Sequence, residues 1–311
     1  MIISRFIPLE SARYKKAQSW SRGLDRFFLF RWEIFFVLWT MLLAGFSAAL
    51  MQEVRHLYWE TALSGRTVLM FFGFTLLLAG FFGFCGLKAA PIETDRRKTG
   101  RIVWILALVG LLLLLFSEPL VLLPLALVLV LLGPATGYRP FNLEDRSPLR
   151  AGSYLLAAYF LFFSGWIYKG GDFISGLIAG LPYVLGFLAV LLIYWIPLTI
   201  GNSPKNLRMS LLLAGLALDL AAAAVGLLNN DPVISTAAAI YAPFLLIAIV
   251  FPPHIRHLQR ARIYPIFILA LLVAVRHPWF LLPLILNFWL LRSYSYLRYG
   301  HPQPTFGVDF D

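Results

Sequence analysis

TVLMFFGFTLLLAGFFGFCG, residues 67–86, runs for twenty positions without a charge, and LKAAPIETDRRKTGR, residues 87–101, follows with five basic and two acidic side chains. About 20 apolar residues in a helix match the roughly 30 Å hydrocarbon core of a bilayer. Working outward, the same alternation of apolar run and charged or Pro/Gly break repeats along the chain. Ten runs lie near 29–51, 67–87, 102–117, 119–137, 151–168, 173–200, 209–228, 233–252, 263–276 and 278–292. The third and fourth are separated only by Ser117-Glu118-Pro119, and the last two only by Arg276-His277-Pro278. Each joint reads as a tight hairpin, and the second reads equally as one kinked element. The pattern predicts an all-α polytopic membrane protein with nine to ten transmembrane helices.

Composition excludes the other classes. The 311 residues are 60% hydrophobic and 13% charged, with a mean hydropathy of +0.80. A soluble domain is about 45–50% apolar and about 25% charged, so this chain has too few charges to cover a surface in water. Soluble enzyme, secreted domain and disordered chain are ruled out. One cysteine, Cys85, excludes a disulfide framework and any multi-cysteine metal site.

The ends are polar. Residues 1–28 hold Arg13, Lys15, Lys16, Arg22 and Arg26, with Trp20 and Phe27 among them. They read as a basic amphipathic segment on the cytoplasmic membrane surface, a disordered basic tail being the alternative. The transmembrane domain is 29–292, and 293–311 forms a cytoplasmic tail. With ten spans, 22 of the 26 Lys and Arg residues collect on the side of the N-terminus. Only Arg55, Arg66, Lys169 and Arg276 lie opposite. The positive-inside rule then predicts a multi-pass integral membrane protein with both termini cytoplasmic. The net charge of +11 sits in cytoplasmic loops, where it attracts anionic lipids. No basic stretch carries a nucleic-acid recognition fold, so no nucleic acid is expected as partner.

The order of features resembles the UbiA-type intramembrane prenyltransferases: a basic N-terminal helix, a polar loop after span two, and another after span six. The family's first motif is Asn-Asp, two residues, Asp, three residues, Asp. It falls here on Leu87, Lys88, Pro91 and Asp95, of which only Asp95 keeps its type. Downstream, GYRPFNLEDRSPLRAGSYLL is similar to the family's Tyr-x-Pro and basic loop through Tyr138, Pro140, Arg146 and Arg150. The second acidic motif falls on Trp195, Leu198 and Asn202, none acidic. The resemblance implies a UbiA-like bundle whose aromatic and aliphatic walls shield a prenyl chain, with a lateral cavity between spans two and six under the motif loops.

The acids decide the chemistry. Prenyl transfer in the family ionises an allylic diphosphate with Mg²⁺, a hard cation that takes oxygen ligands. Here the first loop offers only Glu93 and Asp95, beside Lys88, Arg96, Arg97 and Lys98, and the second loop offers no acid. No metal site is expected. No cofactor is expected either, Mg²⁺ entering only if the enzyme reading holds. Lys and Arg bind phosphate directly. Lys88, Arg97, Arg101, Arg150, Lys205 and Arg208 are therefore candidates for a diphosphate or lipid phosphate, with Asp95, Tyr138, Arg146 and Asn202 beside them.

Within the spans, Asp219 in LLLAGLALDLAAAAVGLL, residues 211–228, stands out. A carboxylate at the bilayer centre costs about 3 kcal/mol on insertion scales and is a functional candidate by default. It reads as a proton relay or ligand contact, or else as a group bonded to a neighbouring Tyr or Ser or as a protonated acid. The histidines show no metal pattern: His254 and His257 sit among arginines, and His56 and His277 read as outer-surface residues. Trp20, Trp32, Trp59, Trp166, Trp279 and Trp289 fall near span ends, as an aromatic belt requires.

Two functions remain. The favoured one is a UbiA-like protein that has lost Mg²⁺-dependent transfer and binds an isoprenoid, quinone, pigment or phospholipid, with subunits of a membrane complex as candidate partners. The alternative is an active, divergent prenyltransferase moving an isoprenyl group from a diphosphate to a lipid-phase acceptor.

Overall fold

The computed structural model describes residues 32–53, 64–89, 96–117, 122, 126–131, 147–194, 196, 205–251 and 255–299. Among them there is no strand. The helices are α1 (Trp32–Glu53), α2 (Gly65–Ala89), α3 (Arg96–Ser117), α4 (Ser147–Tyr168), α5 (Phe173–Tyr194), α6 (Lys205–Leu228), α7 (Pro232–Val250), α8 (Ile255–Arg276) and α9 (Leu281–Tyr299). A short helical stretch, 126–131, falls within the fourth apolar run. Among the described residues, four stretches are long and apolar enough to cross a membrane: Gly100–Ser117, Phe173–Ile193, Asn206–Leu228 and Pro232–Val250. Phe35–Leu50, Gly65–Phe81, Gly152–Tyr168, Tyr264–Arg276 and Pro278–Leu290 are apolar but shorter.

Two loops stop and restart the chain in the same way. After α4, Gly170 has φ +85°, its N–H reaches Ile167 O (2.9 Å) and the Gly171 N–H reaches Trp166 O (3.2 Å). After α6, Asn230 has φ +55°, its N–H reaches Leu227 O (3.0 Å) and the Asp231 N–H reaches Gly226 O (2.8 Å). Both are Schellman ends, which need a residue tolerating the left-handed region, and Gly and Asn are those residues. An aspartate then caps the next helix. Asp172 accepts from the Ser175 N–H (2.9 Å), and Asp231 from the Val233 N–H (3.0 Å). Pro232 follows at the first helical position, where its missing donor costs nothing.

Packing depends on small residues, as it must where lipid is as apolar as the protein. The closest helix pairs are α2 with α3, α1 with α4, α5 with α6, and α7 with both α6 and α8. Where α1 crosses α4, a Cβ on Gly45 would overlap the Phe162 carbonyl, and one on Gly165 would overlap the Leu42 carbonyl. Where α2 crosses α3, a Cβ on Gly110 would come within 2.8 Å of the Gly73 carbonyl. The larger core cluster fills the space among α1, α2 and α4 with Phe35, Phe46, Phe74, Phe81 and Phe162, all fully buried. The smaller one joins α5 to α8 through Ile193, Leu212, Tyr241 and Leu245.

Three helices carry an internal proline, and two of the carbonyls thereby freed are met from a neighbouring element. Proline removes the bond to the carbonyl four residues earlier, and in a membrane bundle other side chains replace it. Pro182 in α5 frees Ile178 O, which accepts from Asn229 Nδ2 at 3.2 Å. Pro265 in α8 frees Ala261 O, which accepts from the buried Tyr241 hydroxyl at 2.8 Å. Tyr241→Phe is therefore expected to cost about 1–2 kcal/mol by leaving that carbonyl unsatisfied. In a Pro265→Ala background, where the helix supplies its own donor, the same change should cost much less. A thermal-melt double-mutant cycle reads the difference, and additive costs would contradict the assignment.

The structure departs from the sequence reading at three places. Trp166 is fully buried instead of belonging to an interfacial belt, because its indole N–H donates to Asp172 O (2.8 Å) and its ring lies against Gly171 and Gly176. The joint after Arg276 is not a packed hairpin, and the kink between the two helices takes a specific form. His277 and a single 3-10 turn, Pro278–Phe280, redirect the chain so that α9 packs on α1. The last helix continues past residue 292 to Tyr299. Residues 1–31 and 300–311 lie outside the described residues, and so does most of the polar segment at each end.

Candidate functional site

Five helices leave a cavity between them. α1, α5, α6, α7 and α8 line a cavity of about 50 Å³ that is open on one side. It has room for a hydroxyl-sized head or a few waters, so a long apolar body would extend out through the open side. The walls are apolar, with Met41, Phe187, Ile234 and Leu269 from four different helices. The polar residues on the lining are Thr40, Tyr183, Tyr241 and Asp219. Three of these already have partners. The Thr40 hydroxyl donates to Phe36 O (2.6 Å), Tyr183 to Asp231 Oδ2 (2.8 Å) and Tyr241 to Ala261 O.

Asp219 is the exception. It is 2% exposed, and its Oδ2 is buried with no hydrogen-bond partner. Of the sequence readings, a bond to a neighbouring Tyr or Ser is not what the described residues show. α6 brings Asp219 to the cavity because its small residues face α5 and α7: a Cβ on Gly215 would press on Ile193, and one on Gly226 on Ser235.

The cavity shares only span six, here α5, with the group of spans two to six that the resemblance implied. Spans two and five, here α2 and α4, contribute nothing to its lining. Their Phe74, Phe81 and Phe162 are buried in the larger core cluster. Of the candidate anion-binding residues, Lys88 falls at the end of α2, Arg97 and Arg101 at the start of α3, Arg150 at the start of α4, and Lys205 and Arg208 at the start of α6. Arg101 is exposed and Arg208 half-buried. The side chains of Lys88, Arg97, Arg150 and Lys205 lie outside the described part of those helices. Asp95, Tyr138, Arg146 and Asn202 lie outside the described residues altogether. Among the described residues, no three His, Cys, Asp or Glu side chains gather as a metal site.

A second polar group lies at one end of the bundle, and sequence reasoning missed most of it. The His277 Nε2 and Ser47 Oγ are 2.7 Å apart, and the ring packs edge-on to Phe46 at 5.1 Å. The Lys169 ammonium sits 4.2 Å from the centroid of the same Phe46. Its neighbour Tyr168 stacks on that ring and reaches Thr67 at 3.4 Å. His277 is 1% exposed, which corrects its reading as a surface residue. The 3-10 turn after it draws it onto α1. Burial, and then the charges of Arg276 and Lys169, bring its pKa down to about 4.

Burial sets the two capping aspartates apart. Hydrogen bonds from Ser175 hold the exposed Asp172 below the usual carboxylate range. Burial pushes Asp231 up, although bonds from Tyr183, Val233 and Ile234 and the charge of Arg276 oppose it. At the far end of α5, the buried Arg262 of α8 donates to Ile193 O (3.2 Å) and to Ile196 O. A cation there meets the last carbonyls and the negative end of the helix dipole.

No family model matches the chain, and neither a curated protein nor a solved structure shows significant similarity to it.

Proposed function

We propose that the chain is a multi-pass integral membrane protein of UbiA-like layout, with both termini cytoplasmic, that binds a lipid-phase ligand and does not carry out Mg²⁺-dependent prenyl transfer. The ligand is an isoprenoid, quinone, pigment or phospholipid chain. The observation that supports binding is the apolar cavity among five helices, with one carboxyl on its wall that no group among the described residues meets. The loss of transfer rests on Leu87, Lys88 and Pro91 in the first motif and Trp195, Leu198 and Asn202 in the second, where the family pattern has metal ligands or their neighbours. The orientation rests on the one-sided distribution of Lys and Arg.

Lipid-extract mass spectrometry of the purified protein tests the reading. An isoprenoid, quinone, pigment or phospholipid should copurify with the wild type. It should be reduced several-fold in Gly186→Leu, because a Cβ there has room, the nearest atom being Ile234 Cδ1 at 3.6 Å, and the longer side chain fills the cavity. Equal lipid content in the two proteins would sink the proposal. Diphosphate release from farnesyl diphosphate with Mg²⁺ would restore the enzyme reading. A membrane-impermeant maleimide should leave Lys98→Cys and Arg260→Cys unlabelled in intact cells, and labelling from outside would reverse the orientation.

A further inference from the structure

We propose that Asp219 is the recognition group for a hydroxyl-bearing head on that lipid-phase ligand. This rests on the cavity being a ligand site and adds the chemistry of the ligand's polar end. Four observations support it. Asp219 lies mid-helix in an otherwise apolar run, so lipid headgroups and water at the membrane surface are far from it. It is 98% buried, being 2% exposed, and it is the one polar residue on the cavity wall that makes no hydrogen bond among the described residues. No cation acts on it from the described residues. The three other polar groups on the wall are committed elsewhere, Thr40 and Tyr241 to backbone carbonyls and Tyr183 to Asp231.

Among the described residues nothing supplies the missing partner, and a ligand head in the cavity would supply it. An unmet carboxyl in an apolar site is costly, and one good hydrogen bond removes most of that cost. A carboxylate only accepts, whereas a carboxylic acid both donates and accepts. A hydroxyl also donates and accepts, so it meets the group in either state. An ether or ketone meets only the acid, and a hydrocarbon meets neither. The class is thus an apolar body ending in an alcohol or phenol: a prenol, a quinol or a sterol-like alcohol. Asp219 takes the hydroxyl inside the cavity, and the body leaves through the open side past Met41, Phe187, Ile234 and Leu269.

Farnesol and farnesyl methyl ether share a body and differ in the donor, so binding of each to the delipidated full-length protein tests the inference. Wild type should bind the alcohol about tenfold or more tightly than the ether, the usual penalty for leaving a buried polar group unmet. Asp219→Leu should bind the two equally. Asp219→Asn, whose amide can donate to either probe's oxygen, should narrow the preference for the alcohol while keeping binding, and guards against misfolding of the leucine variant. Equal affinity in the wild type, or an undiminished preference in Asp219→Leu, overturns the role of Asp219 and leaves the ligand cavity standing. Failure of both probes to bind the wild type overturns the inference together with the cavity reading. A quinol that competes with farnesol while its quinone does not would place the head among phenols. Competition by a prenol alone would place it among alcohols.

Discussion

Gly165→Ala is expected to abolish folded protein, at a cost above about 4 kcal/mol, although it adds a single methyl to a helix. Alanine has the higher helix propensity, so the added methyl should stabilise wherever it fits. At Gly165 it does not fit. The new Cβ would overlap the Leu42 carbonyl and lie 2.8 Å from the Phe46 N atom. Both are backbone atoms of α1 and cannot rotate away. Gly45 stands in the same relation to the Phe162 carbonyl, so the crossing is closed from both sides. Separating α1 from α4 by even an ångström would open the contacts of Leu42, Phe46, Leu161 and Phe162, all fully buried. The control is on the same helix. Gly152 has nothing within 4 Å of its added Cβ, and Gly152→Ala should gain up to about 1 kcal/mol. Size-exclusion profiles after stepwise heating in detergent compare the two. Similar melting of Gly165→Ala and wild type would mean that α1 and α4 do not meet as described.

Acidification from pH 7 to pH 4 should lower stability by on the order of 3 kcal/mol through His277 alone. The sign follows from the proton count. In the unfolded chain His277 takes a proton near its ordinary pKa of 6.5, and in the fold only at about 4. Between those values the unfolded state binds more protons, so stability falls as pH drops through the window and is unaffected above it. Asp231 works in the opposite sense. Its raised pKa makes the fold take a proton first, so it offsets part of the loss at the acid end. The comparison with His277→Gln isolates the histidine, since Gln retains a hydrogen bond to Ser47 and does not titrate. Melting temperatures of the two proteins should converge as the pH is lowered. Parallel pH profiles would show that His277 is solvated, contrary to its packing against Phe46 and Ser47.

The helices were legible because a bilayer-length apolar run has few other readings, and each described helix overlaps one of the runs in the sequence. Asp219 was legible for the same reason, as the lone charge in its run. Its surroundings were not, because the cavity is assembled from α1, α5, α7 and α8, and no spacing within α6 reports what four other helices bring. The turn chemistry in Lys169-Gly170-Gly171-Asp172 and Asn229-Asn230-Asp231 was readable in principle, each being a left-handed residue followed within two positions by a capping aspartate. His277 was misread because it sits between Arg276 and Pro278, which look like a polar joint. Its burial comes from the 3-10 turn that brings α9 against α1, a tertiary event without local signature. Trp166 was misread for a similar reason: its position at the end of a span is interfacial by sequence, yet the chain folds back over it through two glycines. The layout resemblance pointed to spans two to six, but the large aromatics of α2 and α4 are buried in the core cluster with α1, and of those spans only α5 lines the described cavity.

A density map of the protein in nanodiscs formed directly from its host membrane is the decisive measurement. Elongated non-protein density between α1, α5, α6, α7 and α8, with its polar end within hydrogen-bond reach of Asp219, is the expected result. A cavity closed by Met41, Phe187 and Leu269, or Asp219 paired with a side chain of the protein itself, would contradict it.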